Sequence, residues 1–374
     1  MPSTLSTSPG VPAPACIWTD AAGAPPPVDG MTTARTRALP PGVCGLDPDR
    51  PDEVASYLSS RELLDPAEPC HVSSAGAGNM NLTLRVATGR RSLIVKQGRP
   101  WVEKYVHIEA PWERTLVEGA FYSAVAAVPA VGSRMPALLD LDEAHHILVL
   151  EDLGRKGDAT SAYADGSLSG EECDALLDWL SHLSRVRVPA GSDLFANRAM
   201  RALNHEHIFR LPLAPDNGLD LNAITPGLSA AARPLASDAA YVAAVARLGE
   251  RYLADGPHLV HGDYFPGSWV RTDAGLRIID PEFCFCGARE FDYGVMLGHL
   301  ALARTPDALG RGVVEAARRA GLDDALVLGF AGTEIMRRLM GVAQLPLPYG
   351  LHEKQLLLDL SRTLVLAPGT ELTW

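Results

Sequence analysis

Asp263, Asp280 and Glu282 are the residues whose types and spacing point most directly to chemistry. They lie at the two ends of one stretch, His261 to Glu282, HGDYFPGSWVRTDAGLRIIDPE. Asp263 follows His-Gly in a tight loop. A short apolar run (Ser268, Trp269, Val270), a turn (Thr272 to Gly275) and a second apolar run (Leu276 to Ile279) come next, and Asp280-Pro281-Glu282 closes the stretch. The pattern predicts strand, turn, strand, which folds its two ends together. Three carboxylates gathered at one place repel one another unless a cation or base chemistry uses them. Magnesium fits best, being a hard ion that takes oxygen ligands and keeps water and phosphate in its shell. Each half alone is ordinary turn chemistry; the two halves at this spacing favour function.

The rest of the chain must position these groups. Val72 to Val86 carries glycines in a turn, followed by Leu82, Leu84 and Val86 in the alternation of a strand. After a second turn, Ser92 to Gln97 forms another strand bearing Lys96. Exposed backbone N–H groups in a Gly-rich turn can cover phosphates, and Lys96 can reach them as a point charge. Trp112 to Val128 predicts a helix whose inner side holds Leu116, Ala120, Phe121 and Ala124, with either Glu118 or Glu113 available to hold Lys96. Met135 to Asp140 and His146 to Leu153 predict strands, the second ending near the backbone groups where an adenine ring would pair. Helical spacing dominates from Ser169 onward, over 171–187, 239–254, 293–303 and 309–344, while 204–226 fits a loop or short helices and 283–287 a turn. Asp292 is placed to cap the helix it begins and to orient the loop around Asp263. Arg337 and Arg338 are adjacent on a helix and diverge by about 100°, so at least one of them is expected to face solvent.

The 374 residues suffice for two ordinary domains, and 47% hydrophobic with 21% charged residues is the composition of a soluble globular protein. A formal net charge of −12 argues against nucleic-acid binding. The six cysteines are scattered, and Cys284-Phe-Cys286 without a second pair is a poor zinc signal, so free thiols in a reducing cytoplasm are expected. No run of about 18 apolar residues predicts a membrane span, and the N-terminus lacks the features of a signal peptide. Residues 1–45, rich in Pro, Ala, Gly, Ser and Thr, are expected to form a mobile arm.

HGD at 261–263 and DPE at 280–282 resemble the paired motifs of the aminoglycoside phosphotransferase and choline kinase superfamily. Gly78-Asn-Met-Asn81, Ile94-Val-Lys-Gln97, Glu151-Asp-Leu153, HGDYFPGS, DPEF, Phe291-Asp292 and the twin arginine Arg337-Arg338 resemble, within it, the S-methyl-5-thioribose kinases. The similarity spans about residues 55–345. It implies an α+β, protein-kinase-like bilobal fold: a small β-rich N-lobe over 46–152 and a larger, mostly helical C-lobe over 153–374. It implies ATP and Mg2+ as cofactors, a small sugar as substrate and a homodimer. In that scheme Asp263 is the base or orienter for the acceptor hydroxyl, and Asp280 and Glu282 hold magnesium. Gly78, Asn79 and Asn81 cover the phosphates that Lys96, paired with Glu118, contacts. Glu151 and Leu153 flank the adenine, Ser268 stands where most of the superfamily carries a metal-binding Asn, and Arg337, Arg338 and Tyr264 line the acceptor site. Two departures bear on the substrate: Ala-Gly-Asn replaces Asp-Gly-Asn in the Gly-rich loop, and Asp-Tyr-Phe-Pro-Gly replaces Asp-Leu-His-Thr-Gly after the catalytic His-Gly.

Two further functions compete with a kinase. A catalytically silent nucleotide-binding protein would not need Lys96, Asp263, Asp280 and Glu282 together. A metal-dependent hydrolase would gather histidines at the carboxylates, where His258 and His261 flank only one end.

Overall fold

The structure is a computed structural model and describes residues 37–76, 80–188, 192–345 and 347–369. Five antiparallel strands form the sheet of the smaller lobe: β1 (His71–Ser74), β2 (Leu82–Ala87), β3 (Ser92–Gln97), β6 (Leu138–Asp142) and β7 (Ile147–Glu151), in the order β1-β2-β3-β7-β6. A two-stranded ribbon, β4 (Trp101–Val102) and β5 (Tyr105–Glu109), lies between β3 and the helix that follows. Leu82, Leu84 and Val86 are buried along β2, as their alternation predicts. They pack with Leu93, Val95, Ile147 and Val149 and with Val54 and Leu58 of helix α1 (Pro51–Ser60).

Residues 37–45, which the composition assigns to the arm, are among the described residues. Gln97, buried at the end of β3, accepts the backbone N–H of Leu46 at 2.9 Å and donates to the Cys44 carbonyl at 2.7 Å. Leu46 itself enters the small-lobe core. Residues 37–45 therefore lead into the lobe along a path fixed by the glutamine after the strand lysine; residues 1–36 lie outside the described residues.

Helix α2 (Arg114–Ala126) meets the sheet at Gly119, where a Cβ would stand 2.9 Å from Leu141, while the buried Phe121 ring lies edge-on to His261. Of the expected inner face Phe121 is fully buried, while Leu116, Ala120 and Ala124 are only half-buried, so the buried stripe is shifted toward Val117 and Val125. Below it lie helices α3 (Gly170–Leu183), α4 (Ala239–Leu253), α5 (Glu290–Leu302), α6 (Asp307–Arg319), α7 (Asp324–Met340) and α8 (Leu351–Leu366). Ser169 and Glu172 form a reciprocal capping box at the start of α3. Leu176, Leu177, Leu180 and Leu183 bury the apolar face that their spacing predicts. Short helical turns fill 198–213 and 221–224, in keeping with the polar, Pro-containing sequence there.

Two small pairings hold the loops that carry the acidic residues. β8 (His258–Val260) pairs antiparallel with β11 (Phe285–Gly287), so 285–287 is a strand where a turn was expected. β9 (Trp269–Thr272) and β10 (Gly275–Ile278) form the predicted hairpin in the register Trp269↔Ile278. Asp263 therefore follows β8 directly, and Glu282 directly precedes the partner of β8. Gly262 makes the approach possible: its φ is +86°, and a Cβ there would stand 2.2 Å from the Phe283 carbonyl oxygen. Among the described residues no helix is long and apolar enough to cross a membrane.

Candidate active site

Lys96 sits in the centre of the small sheet, between Thr83 of β2 and Leu148 of β7. Its ammonium contacts Glu118 at 2.7 Å and is also ion-paired with Asp280. Burial would lower the lysine pKa, but the carboxylates of Asp280 and Glu118 outweigh it and hold the group well above its ordinary range, so the cation persists. The partner left open in the sequence is thus Glu118, fully buried one turn inside α2; Glu113 lies just before the helix begins.

Asp280 has a left-handed backbone (φ +61°), uncommon for a residue with a side chain, and its carboxylate is 41% exposed. Two residues on, Glu282 is buried and accepts a hydrogen bond from Asn81 Nδ2 at 2.8 Å, with the Arg114 guanidinium at 3.7 Å. Burial pushes its carboxyl up to about 8, against the opposing pull of Lys96 and Arg114.

Asp263 faces a different set of charges. Its Oδ1 accepts from Arg337 Nη2 at 3.2 Å and from Arg338 Nη2 at 3.4 Å. Both arginines also pair with Glu334, at 2.6 and 2.7 Å. Glu334 accepts in turn from His299 Nε2 at 2.8 Å, and His299 Nδ1 meets the Tyr163 hydroxyl at 2.6 Å. The ring of Phe265 lies under the Arg338 guanidinium, centroid to carbon 4.7 Å, and 5.3 Å from the His299 ring.

The loop that presents Asp263 is tied at several points. Asp292 accepts the backbone N–H groups of His261 and Gly262 at 2.7 and 3.0 Å. Ser268 Oγ donates to the Asp263 carbonyl at 3.0 Å. His261 Nε2 donates to the Ile279 carbonyl at 2.9 Å, linking the loop to the end of β10. Burial holds the His261 imidazole down at about 4, so it is neutral and committed to the backbone. That removes it from the histidine cluster a metal-dependent hydrolase would need. A strand lysine held by a helix glutamate, an aspartate on a rigid loop and an Asp-Pro-Glu turn between the lobes form the arrangement of a phosphoryl-transfer site.

The sequence profile described as the phosphotransferase enzyme family matches residues 71–331. The chain belongs to that family. Its relatives include the methylthioribose kinase of Exiguobacterium sibiricum, 30% identical over 326 residues that cover 74% of this chain and 81% of that protein. The methylthioribose kinase of Bacillus cereus is 25% identical over 324 residues, 73% of this chain and 79% of that protein. Among solved structures, a choline/ethanolamine kinase family protein from Mesorhizobium loti aligns over 85% of this chain and 95% of its own, with 16% identity and a TM-score of 0.48.

Within this phosphotransferase the expected three-carboxylate cluster divides in two. Among the described residues, no group of three or more His, Cys, Asp or Glu could hold a metal. Asp280 and Glu282 face Lys96, Asn81 and Arg114, whereas Asp263 faces the arginines. The expectation that one arginine points to solvent fails, because both side chains converge on Asp263 and Glu334 and are almost wholly buried. Asp292 orients the loop as expected but gives the helix no side-chain cap. Asn81 uses its amide on Glu282 and Arg114, and Ser268 uses its hydroxyl on the loop carbonyl. Glu151 is exposed and accepts the Ala137 N–H at 3.1 Å, and Leu153 follows β7 half-buried. Gly78 and Asn79 lie outside the described residues.

Tyr264 is the site assignment that the structure corrects. Its ring is fully buried, stacks on Trp179 at 5.3 Å, and its hydroxyl donates to the Leu176 carbonyl at 3.0 Å. It fills a core position, as the leucine it replaces in the resembled motif would, and Phe265 is the loop ring next to the arginines. Replacing Tyr264 with Phe should therefore lower unfolding stability by about 1 kcal/mol, the worth of one buried hydrogen bond, in denaturant melts. The KM values for nucleotide and acceptor should not move; an altered acceptor KM would return Tyr264 to the substrate site.

Sequence reasoning overlooked Arg114, His299 and Tyr163, and took Phe265 only as part of the changed loop. Glu334 left a readable sign, since it stands three and four residues before the twin arginines on one helix.

Proposed function

We propose that this chain is an ATP-dependent sugar kinase that phosphorylates S-methyl-5-thioribose at its anomeric hydroxyl, a step of methionine salvage. The relationship to methylthioribose kinases over about three-quarters of the chain carries the substrate. The geometry supports the reaction class. Asp263 orients the acceptor hydroxyl and takes up its proton, and Arg337 and Arg338 hold Asp263 and face the acceptor. Lys96, fixed by Glu118, contacts the nucleotide phosphates. Such a site works by in-line positioning and charge neutralisation rather than covalent chemistry.

Asp280 and Glu282 suit magnesium. Both offer hard oxygen ligands, and one or two carboxylates are what the ion takes when phosphates and water complete its shell. Asp280 is the more open of the two. A buried carboxylate pushed up toward protonation, as Glu282 is, is the kind of group a cation stabilises in its ionised form. When bound, magnesium would neutralise charge on the transferring phosphoryl group.

Purified protein with ATP, magnesium and a panel of sugars should release ADP with S-methyl-5-thioribose, and mass spectrometry should find its 1-phosphate. A phosphorylated product from another sugar, an aminoglycoside or a secondary metabolite would keep the reaction and change the substrate. That second reading is favoured by Phe265, an apolar ring against Arg338 where the resembled motif has histidine. ATP binding without turnover across the panel would favour a silent nucleotide-binding protein.

A further inference from the structure

Arg114 is the fully buried arginine at the start of α2, one turn before Glu118. A guanidinium has five N–H donors, and all are used here. Nε donates to Asn81 Oδ1 at 2.7 Å. Nη1 donates to the carbonyls of Arg99 and Pro111, each at 2.8 Å. Nη2 donates to the carbonyls of Met80 and Trp101, at 2.8 and 3.2 Å. None is left for a phosphate. The bonds gather the residues that follow the Gly-rich turn, the β4 strand and the entry to α2 around one cation. The carboxylate in contact with that cation is Glu282, Oε2 at 3.7 Å.

The bond to Asn81 has a direction. With Oδ1 occupied by Arg114, the other end of the amide must donate, and it does so to Glu282 Oε2 at 2.8 Å. Arg114 thus fixes which way Asn81 points, and Asn81 fixes Glu282. The same helix holds the other acidic residue of the turn by a parallel route, Glu118 to Lys96 to Asp280. Both carboxylates of Asp280-Pro281-Glu282 are tied to α2, through side chains four residues apart on one face.

We propose that Arg114, acting through Asn81, is a positioning residue that presets Glu282 for magnesium and couples metal binding to Met80 and Asn81, which lead into β2. The proposal rests on the reading of Glu282 as a metal ligand, and partners that orient a ligand are typically worth 10–100-fold in metal affinity.

Calorimetry with a non-hydrolysable ATP analogue, titrated with magnesium on the full chain, tests this. Arg114→Lys keeps the charge but loses the fork. Asn81→Ala breaks only the relay and leaves four guanidinium bonds in place, so it serves if the arginine variant fails to fold. In either variant the magnesium concentration for half-maximal tightening should rise about 10–100-fold, well beyond whatever change the variant makes in analogue affinity in chelator. Glu282→Gln is the control. If it loses magnesium dependence while folded Asn81→Ala keeps it, the coupling is wrong and the metal assignment stands. If Glu282→Gln also keeps it, the metal assignment fails and the coupling with it. An equal loss of affinity in chelator would mean that Arg114 and Asn81 only shape the loop, and would overturn the proposal.

Discussion

Replacing Asp263 with asparagine is expected to lower kcat by roughly 10²–10⁴-fold, the range that a positioned general base contributes. The variant keeps the shape of the side chain and removes its charge and its capacity to take a proton. Little else in the loop should change, because its anchors lie elsewhere. Asp292 holds the His261 and Gly262 amides, Ser268 holds the Asp263 carbonyl, and His261 holds Ile279. The nucleotide groups should be indifferent too, since Lys96 is balanced by Glu118 and Asp280 and not by Asp263. Analogue affinity without acceptor should therefore stay at its wild-type value while ADP release collapses. Near-normal turnover in a folded Asp263→Asn protein would refute the assigned role. A parallel loss of nucleotide affinity would show that the two halves of the site are not separable in this way.

What the sequence revealed of this site follows from which interactions are local. The β9–β10 hairpin is written in an alternation of apolar residues around a turn, and its register follows from the turn. Lys96 on β3 and Asp263 after His-Gly are legible for the same reason. Glu118 is legible only through the resemblance, because choosing it over Glu113 by spacing depends on where α2 begins and how it is rotated. Arg114 escapes notice because arginine is seldom wholly buried. Its partners are the Asn81 amide oxygen and four carbonyls spread over separate segments, which no periodicity marks. Tyr264 is misplaced by adjacency: neighbours in an extended loop point to opposite sides, so the residue beside Asp263 is a natural core residue. The arginine pair was misjudged by treating the helix alone. About 100° of divergence is spanned by two long side chains when one carboxylate stands between them and another lies a turn earlier.

That earlier carboxylate, Glu334, should be the most destabilising position in the acceptor half. Its side chain is 1% exposed and pairs with Arg337 and Arg338, while His299 donates to it. Removing one partner of a buried ion pair leaves uncompensated charge and costs about 3–5 kcal/mol. Glu334→Ala should lose that much in denaturant unfolding, and its acceptor KM should rise because neither arginine is held. The close packing of α5 on α7 prevents an easy repair. A Cβ at Gly298 would already stand 2.9 Å from the Ala331 carbonyl oxygen and 3.1 Å from Glu334 Cβ, so the helices meet with little slack. The pH dependence gives an independent check with Glu334→Gln. Burial pushes the carboxyl up, but Arg337, Arg338 and His299 outweigh it and hold the group well below its ordinary value of 4.5. A pKa depressed by folding contributes stability that is complete above the unfolded value and lost as pH falls through the folded one. The stability gap between wild type and Glu334→Gln should therefore be constant across neutral pH and narrow only in acid, below about 4.5. Groups raised by burial, such as Asp292 and Glu282, titrate in both proteins and cancel in the difference. A gap that closed already near neutrality, or no gap at all, would mean that Glu334 does not carry the charge that holds the two arginines on Asp263.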